Sequence, residues 1–350
     1  MTDKAQTQHY NLRLKVVQIP KFIMKTKLQG NKPIASLSLD LDNIWSYLKN
    51  QGASGWETFP SYLDIAVPRF LDILQQWDLT ITVFIVGQDA ALEKNTKALQ
   101  AIATAGHEIG NHSFYHDPWL HLYSENEIEE EVALAEQHIK RVTHQHPIGF
   151  RGPGYSFSPA VLKVLARRGY EYDASTFPTF LGPIARAYYL MTCKLSKEER
   201  KKREALFGGF KDGLQPLKPY QWHMGKDKLT EIPVTTMPIF KVPIHFSYIM
   251  YLSTFSSEVA LLYLRIALWL CKLTRVQPSL LLHPTDFLSQ EDVPELSFFP
   301  GMSVPTYKKL AIVNKSLELI SSQFNVLTVG QHAKSVAGAR QLPVLVPQKR

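Results

Sequence analysis

Short apolar runs alternate with amphipathic stretches along most of this 350-residue chain, and that alternation leaves few architectures open. Strand-like runs fall at 34–42, 79–87, 229–236, 279–285 and 325–329, whereas 60–77, 89–105, 124–142, 257–273 and 305–322 carry helical periodicity. Gly106 and Gly169 stand as helix stops, Ser124-x-x-Glu127 forms a capping box, and Ser158-Pro159 opens another helix. A repeated strand-then-helix order predicts a parallel sheet. The expected fold is therefore α/β, a distorted (β/α) TIM-like barrel of about seven strands with a helical insertion. With 45% hydrophobic residues the chain can bury one core of that size and still carry extensions.

Residues that carry chemistry gather where these strands end. The run 34–42 alternates small or polar with apolar residues and closes on Asp40 and Asp42. Period-2 geometry turns both carboxylates to one side of a strand, where they repel each other unless a cation lies beside them. His112 and His116, four residues apart, are expected on one face of a helix, where they can grip a single metal ion. In a chain with twelve histidines that spacing is weak by itself, and what strengthens it is its company. Downstream stand Arg151-Gly152-Pro153-Gly154-Tyr155, then Asp173, then Leu280-Leu281-Leu282-His283. Taken singly, Arg151 is as readily a surface salt-bridge residue, Asp173 a turn cap, and His283 a satisfied core histidine. His107, His121, His144 and His146 read as structural, and Asp286 and Trp119 as pocket-lining candidates by adjacency alone.

In this order the segments resemble the polysaccharide deacetylase family, the NodB-homology or carbohydrate esterase family 4 proteins, across residues 33–330. The family's His-Ser/Thr-x-x-His motif is matched in full by His112-Ser113-x-x-His116. Its Arg-x-Pro is matched by Arg151-Gly152-Pro153 and its Leu-x-x-His by Leu280-x-x-His283. The first motif departs from the commoner adjacent Asp pair by the inserted Leu41. The resemblance implies a NodB-type barrel and a hydrolase that removes an N-acetyl or N-formyl group from an amino sugar. In that reading Asp42, His112 and His116 hold a divalent metal, with zinc expected, and Asp40 is the general base, oriented by Arg151. The backbone N–H of Gly154, in a loop shaped by Pro153 and flanked by Tyr155, helps to hold the oxyanion. His283 protonates the departing amine, with Asp173 fixing its tautomer. Two other classes stay open. Two histidines and a carboxylate also make the facial triad of non-haem Fe(II) enzymes, although those are mostly double-sheet β proteins. A non-catalytic carbohydrate-binding relic is the other, although a relic has no chemical need for a base and an acid around an open metal site.

The remaining composition bears on organisation and partners. Two cysteines, Cys193 and Cys271, argue against a disulfide scaffold. The net charge is +8, and residues 1–32 hold seven Lys or Arg against one Asp. The expected organisation is a basic extension over 1–32, a catalytic domain over 33–335 with an insertion at 180–228, and a tail over 336–350 that is frayed beyond 341. The polar start lacks the apolar core of a secretory signal, so a cytoplasmic protein is expected. The basic and apolar residues of 16–25, the basic run 197–203 and the aromatic stretch 240–255 add an expected peripheral contact with the inner membrane face. They also point to a lipid-linked or cell-envelope glycan as substrate. The apolar run 259–273, interrupted by Arg265, is too short for a bilayer of about 30 Å and reads as a buried barrel helix. No nucleic-acid-reading module is present, so nucleic acid is not an expected partner.

Overall fold

The computed structural model describes residues 32–184, 187, 191, 193, 209–225, 227–339 and 341–347. The basic leader as far as residue 31 and the basic run 197–203 lie outside the described residues.

Strand β1 (Ile34–Leu41) shows how alternation places the site. Ala35, Leu37, Leu39 and Leu41 join the large apolar core with Phe70, Val83 and Leu282. Ser36, Ser38 and Asp40 take the other face, where Ser36 Oγ lies 2.9 Å from His332 Nδ1 and Ser38 Oγ 3.4 Å from Arg151 Nη2. Both faces are buried, as parallel strands require. β1 pairs in parallel with β2 (Thr82–Ile85), β8 (Ser279–Leu282) and β9 (Asn325–Leu327). From β2 the parallel sheet runs on through β3 (Glu108–Asn111), β4 (Gly149–Phe150) and β5 (Tyr172–Asp173) to β7 (Asp227–Glu231). β6 (Tyr220–Met224) lies antiparallel to β7 as a hairpin. Just past β7, Thr235 donates its N–H to Ser279 O (2.9 Å), and Ser279 donates its own to Thr235 Oγ1 (2.8 Å). The chain leaving β7 thus touches β8, although among the described residues no strand ladder joins the two. The architecture is the parallel α/β arrangement that the element order predicts.

Most helices lie where the periodicity puts them: Leu63–Gln76, Glu125–Thr143, Pro159–Arg167, Ser257–Thr274 and Thr306–Gln323. The Ser124 box forms as read, with the Glu127 carboxylate accepting the Ser124 N–H at 2.7 Å. The expected helix over 89–105 is broken into Gly87–Ala91 and Thr96–Thr104. The Asn95 amide donates to both the carbonyl and the carboxylate of Asp89 and so spends local hydrogen bonds on a turn. Gly87 is required at the first piece, because a Cβ there would come within 2.6 Å of the Ala135 backbone. Helices Ile44–Gln51, Phe246–Ser253 and Val329–Ala339 and strand β6 were not read from the sequence.

Two expectations are corrected. Residues 341–347 are not frayed, since β10 (Val344–Leu345) adds to β6 in parallel register with Gln221 and Trp222. The helix Ser257–Thr274 is buried on one face only, leaving Val259, Leu262, Ile266, Trp269 and Leu273 exposed. None of the described helices is long and apolar enough to cross a membrane.

His332, on Val329–Ala339, packs that last helix onto β1 with no exposed surface, held by Ser36 and by Gln277 Oε1 (3.1 Å). Burial pushes its imidazole down to about 4 from 6.5. Between those values the unfolded chain binds a proton that the folded one refuses, so stability falls as pH falls through the window. From pH 6.5 to 4 this site should cost on the order of 3 kcal/mol, read as a shift of the urea midpoint. His332→Gln should flatten that segment of the stability profile, and an unchanged profile would refute the assignment.

Candidate metal centre

Strand register, not sequence proximity, assembles the site. Leu39 pairs with Leu282 across β1 and β8, so the next residues along are Asp40 and His283. Leu41, Ile85, Asn111, Phe150, Asp173 and Glu231 make one row across the sheet. His112 follows Asn111 and Arg151 follows Phe150, so the C-terminal ends of the strands gather the polar side chains.

Asp42, His112 and His116 converge there, all buried, with one potential ligand atom from each lying within 4.8 Å of the others. His116 Nε2 stands 2.9 Å and His112 Nε2 3.3 Å from Asp42 Oδ1. Neither Asp42 Oδ1 nor His116 Nε2 is aligned for a hydrogen bond, and both are sealed from solvent. Lone pairs pointed at one another in a dry site ask for a cation between them. Ligands each about 2 Å from one ion lie about 3 to 4 Å apart, which these spacings fit. His112 Nδ1 lies 2.6 Å from the Arg151 carbonyl oxygen, which can only accept, so Nδ1 carries the proton and Nε2 is free to ligate. Burial alone would raise Asp42, but the adjoining His116 and His112 imidazoles hold its carboxyl well below the usual range. For His112 burial pulls downward, and the Asp40 and Asp42 carboxylates override it.

The two histidines are not on a helix. They sit in the loop after β3, where Ser113 (φ 60°) and His116 (φ 52°) take the left-handed conformation. The loop is held from outside itself. Asn111 Oδ1 accepts the Ser113 N–H, and Glu131 Oε2 accepts those of Phe114 and Tyr115 at 2.8 and 3.1 Å. Glu131 lies on Glu125–Thr143 and is buried, so its role depends on tertiary packing and leaves no mark in the local pattern.

Arg151 is completely buried. Its Nη1 reaches both Asp40 oxygens at 3.3 Å and its guanidinium carbon lies 4.8 Å from the Phe84 ring centre. Asp40 Oδ2 is in turn 3.9 Å from His112 Nε2, which brings the second carboxylate to the rim of the triad. The following turn, Pro153–Tyr155, has Gly154 at φ 57° and Tyr155 at φ 61°. Gly152 admits no side chain, since a Cβ would fall 1.9 Å from the Ser156 carbonyl oxygen. The Tyr155 N–H is used within the turn on Gly152 O (2.9 Å). The Tyr155 ring stacks on Phe177 at 4.5 Å, and its hydroxyl is pushed up by burial and by the charge of Asp40, Asp42 and Asp286.

His283 stands at the end of β8, and its partners differ from the expectation. Asp173 does not hold it. The Asp173 carboxylate accepts the Ser175 hydroxyl at 2.5 Å, and Ser175 Oγ accepts the Gly152 N–H at 2.8 Å, so Asp173 braces the Arg151 loop. Burial drives up Asp173 and its cross-strand neighbour Glu231, and two such acids side by side favour a shared proton. The groups on His283 are Ser247, whose Oγ is 3.0 Å from ring Nδ1, and Asp286, whose carboxylate accepts the His283 backbone N–H at 2.8 Å. In the sequence Asp286 stands out only by adjacency, and nothing there points to Ser247 or to the His245 ring 6.3 Å from that of His283. The two β-strands that bring Asp173 and His283 near the site reach it from opposite sides of β1, and no local pattern records that.

Fold and site together define an α/β protein able to hold a metal ion where its parallel strands end. Comparison with known proteins narrows the class. The family model for polysaccharide deacetylases matches residues 55–172, which include the His112 and Arg151 motifs. The chain is 26% identical over 149 residues to a peptidoglycan deacetylase of Helicobacter pylori, covering 41% of this chain and 49% of that one. It is 31% identical over 105 residues to a peptidoglycan-N-acetylmuramic acid deacetylase of Bacillus subtilis, covering 30% and 39%. The matches thus span half or less of the curated relatives' length. A Mycobacterium smegmatis crystal structure described as a polysaccharide deacetylase superposes with a TM-score of 0.59 at 19% identity over 93% of this chain and 97% of that one. An allantoinase gives 0.56 at 17% over 90% and 93%. These two likenesses establish the fold. Over residues 55–172 the chain is similar to the polysaccharide deacetylase family, and the curated relatives it matches support the same group.

Asp42→Ala removes one of the three convergent ligands and should abolish stoichiometric binding of a divalent metal, read by elemental analysis after dialysis. Glu131→Ala leaves all three ligands but frees their loop, and should weaken zinc affinity about 10- to 100-fold by competitive chelator titration. Wild-type affinity in Glu131→Ala would show that the loop holds its shape without the carboxylate.

Proposed function

We propose that this protein is a metal-dependent amidohydrolase that removes an N-acyl group, acetyl or formyl, from an amino sugar. The carrying observation is the convergence of Asp42, His112 and His116 beside a second carboxylate, Asp40, that a buried arginine holds. A divalent ion in that triad, zinc by its His-His-carboxylate donor set, supplies a Lewis acid for the amide carbonyl and raises the acidity of the attacking water. The chain's own residues do the rest. Asp40 takes the water proton as general base, and Arg151 fixes the orientation in which its oxygens face the triad. The Pro153–Tyr155 turn offers the Gly154 N–H toward the developing oxyanion, while Tyr155 and Phe177 wall the pocket and exclude water. His283 delivers a proton from its ring to the departing amine nitrogen as the C–N bond breaks. Ser247, hydrogen-bonded at Nδ1, leaves Nε2 as the donating atom. The products are a free amino sugar and the carboxylate of the acyl group. The parallel α/β fold supports this reading over an iron oxygenase with the same donor set, since those are mostly built on double β-sheets.

Relatives named for peptidoglycan support an envelope glycan as the substrate class. A lipid-linked amino sugar is the variant of that class that the basic and aromatic segments favour.

Release of acetate or formate from N-acetyl and N-formyl amino sugars should require added metal. Asp40→Asn should keep wild-type metal content but lose about 10²- to 10⁴-fold in kcat. A metal-loaded Asp40→Asn with full activity would remove Asp40 from the chemistry, and a wild type that binds no divalent metal would overturn the proposal.

A further inference from the structure

The helix Ser257–Thr274 is apolar on its outside as well as its inside. Ala260, Leu264, Ala267, Leu268 and Cys271 are buried, yet Val259, Leu262, Ile266, Trp269 and Leu273 are exposed, from 44% at Ile266 to 62% at Leu273. Steps of 3, 4, 3 and 4 residues set those five in one stripe along the helix, about 20 Å long. A surface helix normally turns polar residues to water there, and contiguous exposed apolar area marks a contact surface.

Neighbouring segments extend the stripe at both ends. Ile239 shares a cavity with Thr274 and Val276 at the helix C-terminus, and Ile239 and Phe240 are 68% and 61% exposed. Toward the N-terminus, Tyr248 packs on Tyr263 at 5.8 Å, and Tyr251 and Phe255 beyond it are exposed. Among the described residues, 11 of the 20 exposed large apolar side chains lie between 210 and 273. The charge around them is one-sided. From 239 to 275 the chain has four cations, Lys241, Arg265, Lys272 and Arg275, against the single carboxylate of Glu258. Glu258 sits in the first helical turn and accepts the Ser256 hydroxyl at 2.8 Å, away from the cations of the last turns.

We propose that this face is where the protein lies on an anionic lipid bilayer. The helix lies in the interface plane with its stripe in the boundary between headgroups and acyl chains. Trp269 sits at headgroup depth, and the cations Arg265, Lys272 and Arg275 on the same helix and at its C-cap meet lipid phosphates. Charge decides between this occupant and a second copy of the chain. Mating the stripe with itself would bring Arg265, Lys272 and Arg275 of each copy together with only two carboxylates, whereas a phosphate surface complements all of them. The face is also continuous with the site. Successive ring contacts run from Tyr155 to Phe177 (4.5 Å), His245 (5.7 Å), Tyr248 (6.4 Å), Tyr251 (6.2 Å) and Phe255 (5.7 Å). The helix Phe246–Ser253 that carries part of this ladder also supplies Ser247 to His283. Docking itself does not depend on the deacetylase reading.

The test is flotation of the full chain with phosphatidylcholine vesicles, with and without phosphatidylglycerol, across a salt series. Wild type should float with the anionic vesicles, less so as salt rises. The double variant Ile266→Glu/Trp269→Glu should bind at least about tenfold more weakly, with metal content equal to wild type as the sign that it folds. Arg265→Gln/Lys272→Gln, which keeps the five apolar residues of the stripe, should lose most of the salt dependence. No binding by the wild type, or unchanged binding by both variants, would overturn the proposal. So would a wild-type dimer in sedimentation velocity that Ile266→Glu/Trp269→Glu converts to monomer, because a second copy would then be the occupant.

Discussion

A guanidinium sealed from water inside a sheet cannot be left without partners, because an uncompensated buried charge costs several kcal/mol. Arg151 is that group here, and the site is arranged around meeting its demands. Its side chain ties Asp40 and Ser38 on β1 and lies against Phe84 on β2. Its carbonyl orients His112 after β3, and its neighbour Gly152 is tied through Ser175 to Asp173 on β5. One residue thereby couples four strands to the Asp40 carboxylate and the His112 imidazole of the centre. The arrangement constrains the metal ligands and the proposed base together, so a change at either is felt by the other.

Around this hub the buried acids are sorted by their surroundings. Asp42 is held ionised by two imidazoles, as a ligand must be. Asp173 and Glu231, neighbours across β5 and β7, are both pushed toward the protonated form, and Glu231 is further tied to Thr176 and Trp222. Asp286, pushed up by burial but opposed by His283 and Lys309, holds the His283 backbone, while Ser247 takes the ring position expected of Asp173. Carboxylates in one crevice thus fall into different roles because burial and neighbours differ over a few ångströms.

The exposed face of Ser257–Thr274 has a different origin. Its inner residues answer to the core and its outer residues to whatever covers the protein, and the same helix leads into β8, which carries His283. A surface contact there is one helix away from the acid side of the site, linked by the rings between Tyr155 and Phe255.

Much was legible in the sequence because it rests on local rules. Alternation along 34–42, the capping box at Ser124 and the helical periods of 125–143 and 257–274 are properties of neighbouring residues, and a strand-helix order admits few folds other than a parallel sheet. The order of Asp40, Asp42, His112, His116, Arg151 and His283 was visible for the same reason, as short spacings at strand ends. What only the tertiary structure decided is which groups meet. The His112 loop is not helical, because Glu131 and Asn111 hold its N–H groups in a shape that local propensity does not favour. Asp173 turns to the Arg151 loop while Ser247 and Asp286 attend His283, because strand order across the sheet sets those distances. Whether 257–273 is buried on one side or both depends on how much neighbouring surface is available to cover it. Residue spacing determines periodicity and side-chain direction, but partners across a sheet come from chain segments separated by up to hundreds of positions, and only the folded register brings them together.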